Sequence, residues 1–224
     1  DMLLEHRGKR VAERYVKLDA DAEDFREVVA DIKRQQPDFI FSTVVGHATG
    51  HFYRAYAEAG LDPLRMPIAS LTTSEAEVAE MGAEVAAGHI TAATYFQSIP
   101  TEANQQAVAK YRRRFGADAV TNMCWEAAYF QAHMLAGALR SVGTDNIQQL
   151  LPSMLGMEFN APQGLIKIDG ANHHTYLTPR IGRVTSNGQF EILQAAARPV
   201  KPDPYLVDHS IKDWSSQVTV ASVG

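Results

Sequence analysis

Cysteine is almost absent from this chain: Cys124 stands alone among 224 residues, so no disulfide can form within it. That fits a reducing compartment without requiring one, since many exported proteins also lack disulfides. Long apolar runs are missing too. No stretch approaches the roughly 20 residues needed to cross a bilayer, which argues against a membrane-embedded protein. Neither sign of charge dominates: 21 Lys and Arg stand against 26 Asp and Glu, interspersed, for a net charge of -5. A polyanion-binding footprint is therefore lacking, and nucleic acid is not expected as a direct partner. The chain has no Gly-x-Ser-x-Gly elbow, Walker loop, Gly-x-Gly-x-x-Gly or Cys-x-x-Cys pair. Such gaps speak against an enzyme and leave no expected cofactor. No internal repeat or low-complexity block is present.

What is present is 46% hydrophobic content, enough for one large core or two modest lobes. The organising stretch is residues 39–81. Residues 39–45 (FIFSTVV) are β-branched and aromatic with almost no polar break, the pattern of a strand covered on both faces in a parallel sheet. Gly46 ends that strand. Residues 51–59 place Phe52, Tyr53, Tyr56 and Ala59 on one helical face, before Gly60. A second strand, 67–71, runs into Thr72-Thr73-Ser74-Glu75, suited to capping a helix that carries Val78 and Met81. Both strands end at one edge of a parallel sheet, where free backbone N–H groups hold ligands.

Elsewhere, the segment Met2-Leu3-Leu4 reads as a helix tail, and residues 12–18 alternate as a strand. Phe25, Val28, Val29 and Ile32 make the apolar face of a helix that Pro37 stops. Residues 89–96 read as a strand, 97–100 as a connection and 101–115 as a helix. The segment 121–142 is the most apolar helix, with Trp125, Ala128, Tyr129, Ala132, Ala136 and Leu139 in one stripe and Met123, Ala127, Phe130 and Leu135 widening it, so that it asks for burial nearly all round. In it, Cys124 is expected to be a buried, inert thiol. The last third is β-rich: 165–169, a turn at Asn172-His173-His174, 178–185, and a hairpin at Asn187-Gly188 leading into 189–193. His47 and His51 have a spacing seen in zinc sites, but with no third ligand in view they read as surface or capping residues.

FSTVVG and PIASLTTSEAEVAEM, followed by TYFQSI, NAPQG, NHH, RIG, KPDPYLV and DWSS, resemble the C-terminal portion of the AmiC-like family of amide sensors. Several of the later pieces are shared with urea-binding and short-amide-binding subunits of ABC transporters. The resemblance implies an α/β fold: a parallel-sheet, Rossmann-like lobe of the type I periplasmic-binding class with a C-terminal β-rich segment. It implies three stretches: a C-terminal-lobe core truncated at its N-terminus (1–96), a helical segment returning to an N-terminal lobe not in this sequence (97–156), and a hairpin and tail (157–224). Through it, Val45 and Thr72 become contacts for a small neutral amide such as acetamide, or for urea. Strand-edge geometry adds Thr43, Gly46 and Thr73. On the residues alone, Val45 can equally be strand core and Thr72 a helix cap. The implied role is non-enzymatic: a cytoplasmic sensor partnered by a transcription antitermination regulator. The alternative is a periplasmic subunit serving an ABC transporter permease.

Overall fold

The computed structural model describes residues 8–204 and 220–222. In order, the elements are α1 (Asp24–Gln35), β1 (Ile40–Ser42), α2 (His47–Glu58), β2 (Ile68–Ser70), α3 (Glu75–Met81), α4 (Ala83–Ala86) and β3 (Ile90–Ala93). There follow α5 (Glu102–Phe115), α6 (Met123–Val142), α7 (Ile147–Met154), β4 (Glu158–Ala161), β5 (Gly164–Ile168), β6 (Thr175–Tyr176), β7 (Arg180–Val184), β8 (Phe190–Ala196) and β9 (Val220–Ser222). The expected helix tail at residues 2–4 and the DWSS element lie outside the described residues. The chain divides into two compact units. The first runs to Ala93 and takes in Ile181–Leu193; the second holds Thr94–Arg180 and the chain from Gln194 onward.

In the first unit β1, β2 and β3 pair in parallel, with Ile40 opposite Ile68 and Ala69 opposite Ile90. Each pair is joined through a helix, the connection that returns a strand in the same direction. Next to β3 lies β7: Gly88 N–H donates to the Val184 carbonyl at 2.8 Å, and Val184 N–H to that of His89 at 2.9 Å. The Asn187-Gly188 turn then closes a hairpin, with Thr185 N–H on the Gln189 carbonyl at 2.8 Å. The core is aromatic. Phe25 of α1 stacks on Phe52 of α2 at 5.2 Å, and Tyr53 and Tyr56 meet the buried His89 ring edge-on at 4.7 and 4.9 Å. Rings of this size bury a large apolar area each, which a unit this small needs.

Residues 12–18 form no strand. Their alternation has neither a ladder partner nor cover: Tyr15 is 90% and Leu18 83% exposed, and a strand without both has nothing to stabilise it. At α3 the start signal is met by a capping box: the Ser74 hydroxyl accepts from Ala76 N–H, while the Glu77 carboxylate accepts the Ser74 N–H at 2.8 Å. Ser74→Ala is expected to cost about 1 kcal/mol of stability in urea unfolding followed by circular dichroism.

In the second unit β4, β5 and β6 form an antiparallel meander covered by α6. Phe130, Met134, Ala161, Ile166 and Ile168 are its buried cluster. The buried stripe of α6 is thus Glu126, Phe130, Met134 and Ala138, of which only Phe130 is among the expected residues, and the helix is not buried nearly all round. Ala128 and Ala132 are exposed, Trp125, Tyr129, Ala136 and Leu139 half-buried, and Cys124 is exposed rather than buried. The reason is that α6 is apolar almost all round, so periodicity does not say which stripe the meander covers. Beside that stripe rings follow one another: Trp125 lies 6.0 Å from Tyr95, 5.4 Å from Tyr111 and 5.4 Å from Tyr129. Tyr129 in turn sits 4.4 Å from His133.

In the connection 97–100, Gln97 and Ile99 are buried and tied down, while Ser98 and Pro100 are exposed. Asn104, 1% exposed, donates to the carbonyls of Gln97 and Ile99 at 2.9 and 2.7 Å and accepts from the Tyr95 hydroxyl at 2.8 Å. The turn at Asn172-His173-His174 is held by Asp169, whose carboxylate accepts from the Ala171 and Asn172 N–H groups at 2.8 and 3.2 Å. His173 takes φ 62 there, and His174 N–H closes on the Asn172 side chain at 2.9 Å.

Candidate functional site

Strand β1 stops at Ser42, and the chain then leaves the sheet through Thr43, Val44 and Val45 to Gly46, the residue before α2. Gly46 has φ 63 and ψ -148, a backbone that side-chain-bearing residues rarely adopt, and it gives α2 no side-chain cap. The first N–H groups of α2 thus meet no side-chain acceptor, although that of Thr49 turns back to the Gly46 carbonyl at 3.1 Å. Strand β2 stops at Ser70, and residues 71–74 lead to α3. The two strands are parallel neighbours, so both exits lie at the same carboxyl edge.

Their side chains are joined. The Thr72 hydroxyl donates to the Val44 carbonyl at 2.7 Å, linking the two exits across 28 residues of sequence. The Ser70 hydroxyl accepts the Thr72 and Thr73 N–H groups, each at 3.0 Å. Val45 lies beyond the end of β1 with 42% of its surface exposed, so it is not strand core. Thr72 is half-buried, and the cap of α3 is Ser74, so Thr72 is not a helix cap. Thr43 and Gly46 are exposed at the same exit. Thr73 is 1% exposed; its hydroxyl contacts Tyr53 at 3.1 Å and Ser70 at 2.9 Å, and its carbonyl accepts from Thr91 at 2.9 Å. It stands behind the edge rather than on it.

The carboxylate that follows Thr72 and Thr73 most closely in sequence is enclosed. Glu75, on the first turn of α3, is 1% exposed. His47 turns to Glu80, Nδ1 to Oε1 at 2.8 Å, among exposed side chains. Gly46, Gly50, Arg54, Glu77, Glu80 and Met81 line a shallow depression beside it. Sequence reasoning missed Ser70. Its signal was available in the run Ser-x-Thr-Thr at a strand end, where one hydroxyl can gather two following N–H groups.

The sequence model described as a periplasmic binding protein domain matches residues 1–211. Among solved structures, the solute-binding protein of an ABC transporter from Rhodopseudomonas palustris BisB5, in complex with 3,4-dihydroxybenzoic acid, is 26% identical with a TM-score of 0.71. That match covers 81% of this chain and 50% of the other. An amino acid ABC transporter substrate-binding protein from Pseudomonas fluorescens Pf-5 has a TM-score of 0.77 at 17% identity, over 90% of this chain and 54% of the other, which shows the shared fold. A curated relative, limonene hydroxylase of Geobacillus stearothermophilus, is 30% identical over 137 residues, 61% of this chain and 25% of that protein. So small a share carries no reaction over. The chain spans about half the length of the solved structures it matches.

Proposed function

The chain belongs to the periplasmic binding protein domain family, and from that premise we propose that it serves an ABC transporter permease in the periplasm, holding a small neutral amide or urea at the carboxyl edge of β1 and β2. The transport role is supported by the 26% identical solute-binding protein. The cytoplasmic antitermination sensor draws no such support from the relatives. No helix among the described residues is long and apolar enough to cross a membrane, in keeping with a permease that is a separate chain.

One observation carries the choice of ligand: the edge offers Val45, Gly46, Thr43 and Thr72, while Glu75 is enclosed. An ammonium group arriving there would lose hydration and meet carboxylates already engaged, Glu77 with Ser74 and Glu80 with His47, a cost of several kcal/mol. A neutral amide needs only a few donors and acceptors. The N–H groups at the start of α2 suit its carbonyl oxygen, and Val45 its short alkyl end.

Amino acids and aromatic acids are what the relatives are named for or solved with, so both belong in the test. Calorimetry on the intact protein with acetamide, propionamide, urea, leucine and 3,4-dihydroxybenzoate is expected to give binding heat for the first three only. Tight binding of leucine or the aromatic acid, with none of the amides, would discard the ligand class. Recovery of the intact protein in the cytoplasmic fraction, bound to a regulator, would return the sensor reading.

A further inference from the structure

Four hydroxyls of the first unit form a row whose hydrogens run one way. A carbonyl oxygen cannot donate, so Thr72 spends its single hydroxyl hydrogen on Val44 at 2.7 Å. That decides the next pair. The 3.2 Å contact between the Ser70 and Thr72 hydroxyls must use the hydrogen of Ser70. Ser70 Oγ then only accepts: from the Thr73 hydroxyl at 2.9 Å on one lone pair, with two backbone N–H groups at 3.0 Å sharing the other. Thr73 Oγ1, its own hydrogen spent, receives that of Tyr53 at 3.1 Å. Burial pushes the Tyr53 phenol up to about 12, so it holds that hydrogen at any physiological pH. The Val44 carbonyl also takes the Thr49 hydroxyl at 3.1 Å, which occupies its second lone pair. Turning the Thr72 hydrogen outward would give up its 2.7 Å bond to Val44, and turning it back onto Ser70 would break the row at Ser70, Thr73 and Tyr53, all at most 2% exposed, where an unmade bond is costly.

We propose that the row makes Thr72 a hydrogen-bond acceptor toward the ligand, with Ser70 as the positioning residue behind it, so that the site takes a group offering N–H and refuses an isosteric group offering only lone pairs. This rests on the reading that Thr72 faces the ligand. Acetamide and acetate have nearly the same shape, with NH₂ in one where O⁻ stands in the other. Urea presents N–H on both arms. Two lone pairs facing each other across a hydrogen-bond distance repel, so acetate meets Thr72 with the wrong polarity.

The test is calorimetry on the intact protein at pH 7 with acetamide, urea and acetate. Wild type is expected to bind acetamide and urea, with acetate weaker by about 10- to 100-fold, the usual consequence of one unpaired polar contact. Thr72→Val keeps the shape and removes the acceptor. It is expected to weaken acetamide by about 10-fold or more and leave acetate no weaker. Ser70→Ala removes the hydroxyl that anchors Thr72 through its N–H and Oγ1, so its hydrogen is no longer held in line with Val44 and the acetamide-to-acetate ratio is expected to fall; a purely structural role would weaken both together. Acetate binding wild type as tightly as acetamide, or losing affinity in Thr72→Val, would overturn the polarity while leaving Thr72 in the site. An amide preference that Thr72→Val does not touch would instead remove Thr72 from the site, and this inference with it. The wild-type comparison stands whether or not either variant folds.

Discussion

Acidification from pH 7 to pH 4 is expected to remove on the order of 3 kcal/mol from the stability of the first unit, with His89 as the cause. Burial holds this imidazole at about 4 in the folded chain, against 6.5 when unfolded. Between those values the unfolded chain takes a proton that the folded one refuses. Stability is therefore intact above about 6.5, falls through that window, and levels off below about 4. The geometry explains the refusal. His89 is 1% exposed, its Nδ1 accepts the Ile68 N–H of β2 at 2.9 Å, and Tyr53 and Tyr56 press on the ring. A proton on Nδ1 would break the bond to β2 and bury a charge among aromatics. His89→Asn, which keeps an acceptor but cannot titrate, is expected to start less stable and show a flat profile. Urea midpoints of wild type and His89→Asn that fall in parallel between pH 7 and 4.5 would assign the acid lability elsewhere.

The second unit is expected to respond in the opposite sense. Burial raises the Glu126 carboxyl from 4.5 to about 7, although the Gln163 side chain, the Gln163 N–H and the Arg180 charge all pull the other way. A raised acid contributes stability that is fully present below about 4.5 and lost as pH climbs through about 7, again on the order of 3 kcal/mol. Glu126 is 1% exposed and accepts from Gln163 Nε2 at 2.8 Å. Arg180 is committed nearby, donating to the Gln163 and Thr178 carbonyls at 2.8 and 2.9 Å. Glu126→Gln removes the titration and brings an NH₂ group toward Gln163 Oε1, which has no hydrogen-bond partner among the described residues. The variant is expected to exceed wild type above pH 8 by about 2 to 3 kcal/mol and to match it near pH 5. A wild-type stability that does not decline between pH 6 and 8 would place the Glu126 carboxyl back in its ordinary range.

The elements that sequence made legible share a cause. The apolar faces of α1 and α2, the strands at 40–42 and 68–70, and the start of α3 are set by residues within a few positions of one another. Local sterics and capping act over that range, and so does a reader of the chain. The strand exits followed from the same signals, and they placed Val45, Gly46 and Thr72 at one edge. What escaped notice depends on distant residues. Nothing near residue 12 says that its alternation lacks a partner, and nothing near residue 125 says which side of α6 the meander covers. The short α7, interrupted by Pro152, and β4 also went unread, since four to eight residues carry too little pattern. The Ser70 row and the Glu126 pair were invisible for a further reason. Their meaning lies in where hydrogens go, and the partners of Glu126 are 37 and more residues away.

The rings beside α6 make the chain its own reporter. No tryptophan precedes Trp125, so the first unit contains none, and the second Trp of the sequence lies outside the described residues. Tyr95, Tyr111 and Tyr129 all stand within 6.0 Å of the Trp125 indole, close enough to hand excitation energy to it. Light absorbed by these tyrosines is emitted by Trp125 while the second unit is folded, and by the tyrosines themselves once the rings part. Emission excited in the tyrosine band therefore follows the alkaline loosening around Glu126, whereas ellipticity sums the helices of both units. A transition seen in ellipticity but not in tyrosine-excited emission then belongs to the first unit, without a label.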